Sequence, residues 1–293
     1  MNNNPSNRPA RDRIHAKPQS PQASAPSRFD SSDKKFFAVV AISSLVMILL
    51  ITFMLCFAIK RATGHKEEPG KTDNKPPSIP SSSSATLGET EDMGQAYIDS
   101  MIFFGDSNTA HLRSYGMLSG GKKTLQVWST KSQTVTLDSE ITNVKIEYPE
   151  TADKYVEMTI IEAVALKKPK YIVLSLGTNG VSTLTESQFK YCYKKLITAI
   201  KQASPDTKII IQTIYPVTAS YTGFSNEKIN TANGWILDIA EELGVRVADT
   251  ASVLKDENGA MKESFNSDHH DGYHVNDDAY EKILHYLRTH GYQ

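Results

Sequence analysis

The sequence predicts a three-layer α/β/α domain with a mostly parallel five-stranded sheet, preceded by one transmembrane helix. An apolar run without any charged side chain occupies residues 36–59, and the stretches on both sides of it are polar. From about residue 95 onwards, short β-branched runs alternate with helical stretches, as in chains whose parallel strands are joined by helices. Only this last part, about 200 residues, can bury a sizeable core.

The composition argues against several classes of protein. With 32 Lys and Arg against 33 Asp and Glu, the net charge is −1, and no basic stripe interleaved with aromatic residues follows residue 95. We therefore expect no nucleic-acid partner. The two cysteines are Cys56, inside the apolar run, and Cys192. They are not expected to pair, and no CxxC motif indicates a metal site.

The apolar run at residues 36–59 is long enough to span a membrane. Its 24 residues would form a helix of about 36 Å, against a hydrocarbon core of about 30 Å. The run is longer than the apolar region of a cleaved signal peptide and follows 35 residues. We therefore predict an uncleaved signal anchor that places the protein in the cell membrane with a single pass.

The flanking charges set the expected orientation. Seven Lys or Arg residues precede the run, and five follow it before residue 95. This bias favours a cytoplasmic N-terminus and an extracytoplasmic C-terminal domain. Residues 1–35 are predicted to be a disordered cytoplasmic tail, residues 60–94 a disordered Pro/Ser-rich linker, and residues 95–293 the folded domain.

The C-terminal domain is predicted to contain five strands and five helices. The strands are expected at 100–104, 124–128, 171–176, 208–214 and 245–249, and the helices at 107–117, 153–167, 185–203, 226–243 and 276–290. Thr185 with Gln188 is a candidate capping box, and Asn276 is a candidate N-cap. Ligands of such sheets bind beyond the carboxyl ends of the strands.

The first candidate motif is Gly105-Asp106-Ser107-Asn108, directly after a predicted strand. Glycine permits a tight exit from the strand. A serine at the following helix N-terminus lies where backbone N–H groups and the helix dipole favour a developing anion. The alternative is that Asp106 or Ser107 merely caps the helix.

The second candidate motif is Gly177-Thr178-Asn179-Gly180, which follows the third predicted strand. The side-chain amide of Asn179 could donate an N–H to a substrate oxyanion. The alternative is an ordinary turn, since Asn and Gly are common turn residues.

The third candidate motif is Asp271-Gly272-Tyr273-His274, in the loop before the last helix. A nucleophilic serine needs a base, and the base needs an orienting partner. Two alternatives remain. Asp271 and His274 could be solvated loop residues, or they could bind a metal together with Asp268, His269 and His270. Because this segment has no helical HExxH pair, we expect no metal.

In combination, the three motifs resemble the SGNH/GDSL hydrolase family over about residues 97–293. The resemblance implies a flavodoxin-like fold and an esterase without cofactor. It implies that Ser107 is the nucleophile, His274 the general base and acid, and Asp271 its orienting carboxylate. Asn179 and the N–H of Ser107 would be oxyanion-hole donors. Asp106, Gly105 and Gly177 would support the two turns.

The chain departs from the family after the second strand. The family usually has a glycine there, whose N–H is a third oxyanion donor, whereas residues 129–134 contain none. Gln133 is the best positional match, and Ser132 is the next. A backbone N–H survives a change of side chain, so activity is compatible with this departure. The GTNG motif is also similar to that of cell-wall polysaccharide O-acetyltransferase domains.

The resemblance and the anchor together imply an acylated small-molecule or polysaccharide substrate. We expect hydrolysis or transfer of small O-acyl groups, such as acetyl, on cell-envelope glycans. A lipid or lysophospholipid esterase and a catalytically weak wall-binding module are the alternatives. In the loop 215–230, three aromatic residues either line the substrate pocket or simply pack the loop: Tyr215, Tyr221 and Phe224.

Overall fold

The computed structural model of the protein describes residues 83–293. The predicted tail, the apolar run at 36–59 and most of the predicted linker lie outside the described residues. Within the part that the structure describes, no helix is both long and apolar enough to cross a membrane.

Among residues 83–293, seven strands form one parallel sheet and one hairpin. They are β1 Met101–Gly105, β2 Val127–Trp128, β3 Lys145–Thr151, β4 Lys154–Thr159, β5 Tyr171–Ser175, β6 Lys208–Gln212 and β7 Arg246–Ala248. Five of them form a sheet in the order β2-β1-β5-β6-β7, in which all neighbours are parallel. Counted within the sheet alone, this order is the 2-1-3-4-5 of flavodoxin-like folds, whose switch point lies between the first and third strands. The predicted mostly parallel five-stranded sheet is confirmed.

In the described part of the chain, six helices cover the two faces of the sheet. They are α1 Gly94–Asp99, α2 Ser107–Ser114, α3 Ile160–Lys167, α4 Glu186–Ala203, α5 Asn226–Leu243 and α6 Asp277–Thr289. Residues of α1, α2 and α6 share one core with Phe103, and residues of α3, α4 and α5 share the other with Phe104. Successive side chains of a strand point to opposite faces, so each strand supplies both cores.

The helix starts follow the local sequence. Thr185 and Gln188 form the predicted capping box, with each side chain accepting the other residue's backbone N–H. Asn276 accepts the N–H of Ala279 at 3.1 Å, as predicted for an N-cap. These bonds satisfy N–H groups that the first helical turn leaves without partners.

The prediction of a helix over 153–167 is wrong for its first half. Residues 154–159 instead form β4, which pairs antiparallel with β3, and the helix begins only at residue 160. Ile146 of β3 is fully buried, and Tyr148 packs against Trp128 at 5.5 Å between ring centroids. This packing outweighs the local helical pattern.

Residues 85–87, in the predicted linker 60–94, pack against the edge of the sheet. Ala85 and Leu87 are buried, and both pair with the outer strand β7. Leu87 donates its N–H to the Val247 carbonyl at 2.8 Å, and Val247 donates to the Ala85 carbonyl at 2.9 Å. The segment therefore lies along the edge of the sheet, because its apolar side chains find burial there.

The same segment also contacts the other end of the chain. Asp92 forms an ion pair with Arg288, and Thr90 donates its N–H to the Thr289 carbonyl at 2.6 Å. The helix α1 that follows was not predicted. Its Tyr97 and Ile98 are buried against the core on the α6 side of the sheet.

No residue larger than glycine fits at position 105, at the end of β1. A Cβ built on Gly105 would overlap the Ser175 carbonyl oxygen of the neighbouring strand and the Thr109 hydroxyl. We expect Gly105→Ala to lower the free energy of unfolding by about 3 kcal/mol, because the backbone of β5 cannot move away. Denaturant unfolding measures this change.

Gly234 provides the matched control for that substitution. It lies inside α5, where an added Cβ would meet nothing within 4 Å. Gly234→Ala should raise the free energy of unfolding by about 1 kcal/mol, since alanine favours a helix over glycine. Equal unfolding midpoints for the two variants would contradict the close approach at Gly105.

Candidate active site

Ser107 lies at the first turn of α2, directly beyond the end of β1. Asp106 caps this helix by accepting the N–H of Asn108 on Oδ1 at 3.2 Å. The hydroxyl of Ser129 binds the Gly105 carbonyl at 2.8 Å and holds the ends of β1 and β2 together. The turn therefore presents Ser107 at the carboxyl edge of the sheet, beside its switch point.

Asn108 joins the Ser107 turn to the segment that carries His274. Its side chain accepts the Val275 N–H and donates to the Tyr273 carbonyl, each at 3.4 Å. Its own carbonyl accepts the Tyr280 hydroxyl of α6 at 2.6 Å. Sequence analysis assigned no role to Asn108, although the residue is only 4% exposed and links two motifs.

The structure brings Ser107, His274 and Asp271 into one hydrogen-bonded chain. The Ser107 Oγ lies 2.7 Å from His274 Nε2, and His274 Nδ1 lies 2.7 Å from Asp271 Oδ2. The Asp271 Oδ1 accepts the backbone N–H groups of Tyr273 and His274, at 3.1 and 2.9 Å. One carboxylate thus fixes both the turn and the imidazole ring.

These contacts set the charge on Asp271 and the tautomer of His274. Burial raises the pKa of Asp271, but the hydrogen bonds from the backbone and ring of His274 and from Tyr273 outweigh it, so the pKa is lowered. An ionised carboxylate only accepts hydrogen bonds, so Nδ1 carries the proton. In the neutral ring, Nε2 is then free to accept the Ser107 hydroxyl proton.

Asn179 lies in the turn that follows β5. Its side-chain amide donates to the Val135 carbonyl at 3.3 Å, which ties this turn to the loop after β2. An amide nitrogen has two hydrogens, so one remains available to a ligand. Gly177 has φ +121°, and a Cβ there would lie 2.6 Å from Ile214. Glycine is therefore required at this position.

Gln133, the predicted third oxyanion donor, lies in the loop after β2. Its N–H donates to the Thr130 carbonyl at 2.9 Å, closing a tight turn. Its φ of +58° is in the left-handed region that glycine favours. The backbone at Gln133 thus has a conformation that suits the glycine usual in the SGNH/GDSL family. Its N–H, however, is already bonded within the loop.

A family model described as the GDSL-like lipase/acylhydrolase family matches residues 103–282, which span all three motifs. The chain belongs to this family. It is therefore a GDSL-type (SGNH-type) hydrolase.

Solved structures of several hydrolases are similar to this GDSL hydrolase at low identity. A GDSL-like lipase from Bacteroides thetaiotaomicron has 17% identity and a TM-score of 0.42, over 63% of this chain and 83% of that one. A carbohydrate esterase family 3 protein from Talaromyces cellulolyticus has 17% identity and a TM-score of 0.43, over 64% and 92%. A peptidoglycan O-acetylesterase has 13% identity and a TM-score of 0.38, over 44% and 38%. No curated protein matches the chain.

A second histidine of the GDSL hydrolase, His111, lies beside His274. The two ring centroids are 4.9 Å apart, and the buried Nδ1 of His111 has no hydrogen-bond partner. Burial, and then the neighbouring His274, lower the pKa of His111 and favour its neutral form. Sequence analysis missed this residue. The signal was its position four residues after Ser107, which places both on one helix face.

The metal alternative for the His274 segment gains no support from the described residues. Among residues 83–293, no group of three or more His, Cys, Asp or Glu side chains is placed to hold a metal ion. His270 has φ +50°, and its N–H donates to the Ser267 carbonyl at 2.8 Å.

Asp106 is a buried carboxyl group directly beneath the Ser107 turn. Its side chain is 2% exposed, and its Oδ2 has no hydrogen-bond partner. Burial raises the pKa of Asp106 to about 7, against the lowering effects of the Asn108 N–H and of the Thr178 hydroxyl. An unfolded aspartate titrates near 3.8. Between these two pH values the folded state therefore binds more protons than the unfolded state.

Asp106 should make the GDSL hydrolase less stable as the pH rises. The stability that protonated Asp106 contributes below about pH 4 is lost as the pH approaches about 7. A pKa difference of about 3 corresponds to about 4 kcal/mol. We expect Asp106→Asn, which keeps the capping oxygen, to remove this part of the pH dependence of the unfolding free energy.

Denaturant unfolding at pH 4, 5.5, 7 and 8 measures the effect. The exposed Asp206 is the matched control, since Asp206→Asn should follow the wild-type pH profile. Parallel profiles for wild type and Asp106→Asn would show that Asp106 is ionised in the folded state across this range.

Proposed function

We propose that this GDSL hydrolase is a serine esterase that hydrolyses or transfers small O-acyl groups, chiefly acetyl, on cell-envelope glycans. The observation that carries the esterase proposal is the hydrogen-bonded chain of Ser107, His274 and Asp271, with both links at 2.7 Å. This geometry is that of a nucleophile, a base and an orienting carboxylate.

The first half-reaction forms an acyl-enzyme. As Ser107 Oγ attacks the ester carbonyl carbon, its proton moves to His274 Nε2. The tetrahedral intermediate then expels the alcohol, which takes the proton from His274 as the carbon–oxygen bond breaks. The Asp271 carboxylate stabilises the imidazolium that exists between these two transfers, without becoming protonated.

The second half-reaction releases the acyl group. His274 takes a proton from water, or from a sugar hydroxyl, and the resulting oxygen nucleophile attacks the acyl carbon. When the intermediate collapses, Ser107 Oγ leaves and recovers its proton from His274. Water as acceptor gives an esterase, and a sugar hydroxyl gives a transferase, with the same residues in both cases.

We assign the oxyanion hole to the N–H of Ser107 and the side-chain amide of Asn179. The first lies at the start of α2, where N–H groups lack helical partners. The second retains one N–H beyond its bond to Val135. Because Gln133 is bonded to Thr130, these two donors carry the role without it.

The glycan substrate follows from the proposed location. The apolar run at 36–59 would anchor the chain in the cell membrane, with the N-terminus cytoplasmic and the hydrolase domain outside. A domain held there meets envelope glycans first. Protease added to intact cells should then remove a C-terminal tag. A tag that resists until the cells are lysed would contradict this orientation.

The activity is tested with full-length protein in detergent. Release of acetate from O-acetylated wall polysaccharide, and hydrolysis of p-nitrophenyl acetate, should both persist after metal chelation. Faster hydrolysis of lysophospholipid than of either ester would instead indicate a lipid esterase. Wall polysaccharide binding without turnover of any ester would indicate a binding module.

A further inference from the structure

We propose that Tyr273, Tyr221 and Phe224 form an aromatic platform that binds the sugar ring whose O-acyl group reaches Ser107. The inference rests on the proposed esterase function and specifies where the sugar part of its substrate binds. It assigns a recognition role to Tyr273 of the third motif and to the loop of Tyr221 and Phe224, none of which takes part in the reaction steps.

The platform begins at the reacting histidine and extends away from it. The ring centroid of Tyr273 lies 4.0 Å from that of His274. Tyr221 follows at 5.5 Å from Tyr273, and Phe224 at 5.0 Å from Tyr221. The three rings thus form a continuous row that starts beside the base, and their inner sides pack against the core that contains Phe104.

The loop that carries the platform is fixed to the turn that carries His274. Thr218 donates its N–H to the Gly272 carbonyl at 2.9 Å. Gly272 has φ +85°, and a Cβ there would lie 2.8 Å from the Thr218 hydroxyl and 3.1 Å from the Tyr221 Cβ. Loop and turn thus meet with only a glycine between them, which sets the platform at a constant position relative to the base.

A pair of hydrogen bonds also holds the two ends of this loop together. The side chain of Asn226 accepts the Val217 N–H at 2.9 Å and donates to the Val217 carbonyl at 2.8 Å. The platform is thus preorganised, which limits the entropy lost when a ligand binds.

The chemistry of the platform suits a sugar better than an acyl chain. All three rings are only partly buried, and two of them are tyrosines, which combine an apolar face with a hydroxyl group. The hydroxyls of Thr218 and Ser220, 3.1 Å apart, lie on the same loop. A sugar ring likewise combines an apolar C–H face with a polar edge, whereas an acyl chain needs an enclosed apolar pocket.

The test compares two esters in full-length protein. Tyr221→Ala should lower kcat/KM for an O-acetylated chitooligosaccharide about tenfold more than kcat/KM for p-nitrophenyl acetate, mainly through KM. Tyr221→Phe, which keeps the ring, should restore most of this ratio. The matched control is Tyr191→Ala, because Tyr191 is 59% exposed on α4 and outside the platform. Its ratio should equal that of the wild type.

A binding measurement makes the inference independent of turnover. Calorimetric titration of the same oligosaccharide should give about tenfold weaker binding to Ser107→Ala/Tyr221→Ala than to Ser107→Ala. Equal binding, or a selective loss of p-nitrophenyl octanoate hydrolysis in Tyr221→Ala, would overturn the sugar platform. Failure of the wild type to hydrolyse any ester would instead overturn the esterase proposal, and the titration would still decide whether sugar binds.

Discussion

Ser107→Ala should lower kcat for ester hydrolysis by about 10⁴-fold or more. The Ser107 Oγ is the atom that His274 Nε2 contacts at 2.7 Å, and alanine leaves the base without a nucleophile to activate. The remaining rate would come from the oxyanion donors acting on water. KM should change little, because the hydroxyl contributes to the reaction rather than to ground-state binding.

Stopped-assay kinetics with p-nitrophenyl acetate and acetylated glycan provide the measurement. Ser114→Ala is the matched control. Ser114 is exposed on the same helix, and its hydroxyl donates to the Ala110 carbonyl at 3.4 Å. A Ser107→Ala variant that retains a tenth of the wild-type kcat would show that Ser107 only caps the helix.

Asp271→Asn should lower kcat by about 10⁴-fold without unfolding the protein. The asparagine oxygen can still accept the Tyr273 and His274 N–H groups, which keeps the turn. Its NH₂ group would then face His274 Nδ1, where Asp271 Oδ2 lies at 2.7 Å. That contact favours the tautomer with the proton on Nε2, which cannot accept a proton from Ser107.

The control for Asp271 is its exposed neighbour Asp268. Asp268→Asn should keep the wild-type kcat, and both variants should keep the wild-type free energy of unfolding to within about 1 kcal/mol. If Asp271→Asn and Asp268→Asn had equal activity, Asp271 would be a solvated loop residue and His274 would be oriented by the turn alone.

The central sheet could be predicted because its strands are buried on both faces. Such strands appear as short apolar runs, and the predicted 171–176 and 208–214 correspond to β5 and β6 within two residues. The helix starts could also be predicted, because an N-cap side chain accepts a backbone N–H of the helix turn that directly follows it. The α5 helix occupies the predicted range 226–243.

The elements that sequence analysis missed depend on distant contacts. The β3–β4 hairpin alternates polar and apolar residues, and its burial comes from Trp128 and other residues outside it. In the same way, Ala85 and Leu87 are apolar residues in a polar stretch, and they are ordered because β7 offers them an edge. Tertiary context of this kind is not encoded in local periodicity.

Within the candidate site, the residues that belong to sequence motifs could be predicted. Ser107, Asp271 and His274 lie together as their order along the chain implied. The spacing of His111 from Ser107 is visible in the sequence, but the contacts of His111 and Asn108 with the His274 segment depend on how α2 packs. The hydrogen bond of the Gln133 N–H to the Thr130 carbonyl likewise depends on the path of its loop.

The pairing of residues 85–87 with β7 has a mechanical consequence. Force applied through the chain before residue 83 would enter the domain at this edge, where two backbone hydrogen bonds hold the segment to Val247. It would then pass to the Asp92–Arg288 ion pair near the C-terminal end of α6. His274 precedes the opposite end of that helix. Such a force would therefore act first on the β7 edge and on the end of α6 opposite to the end that follows His274.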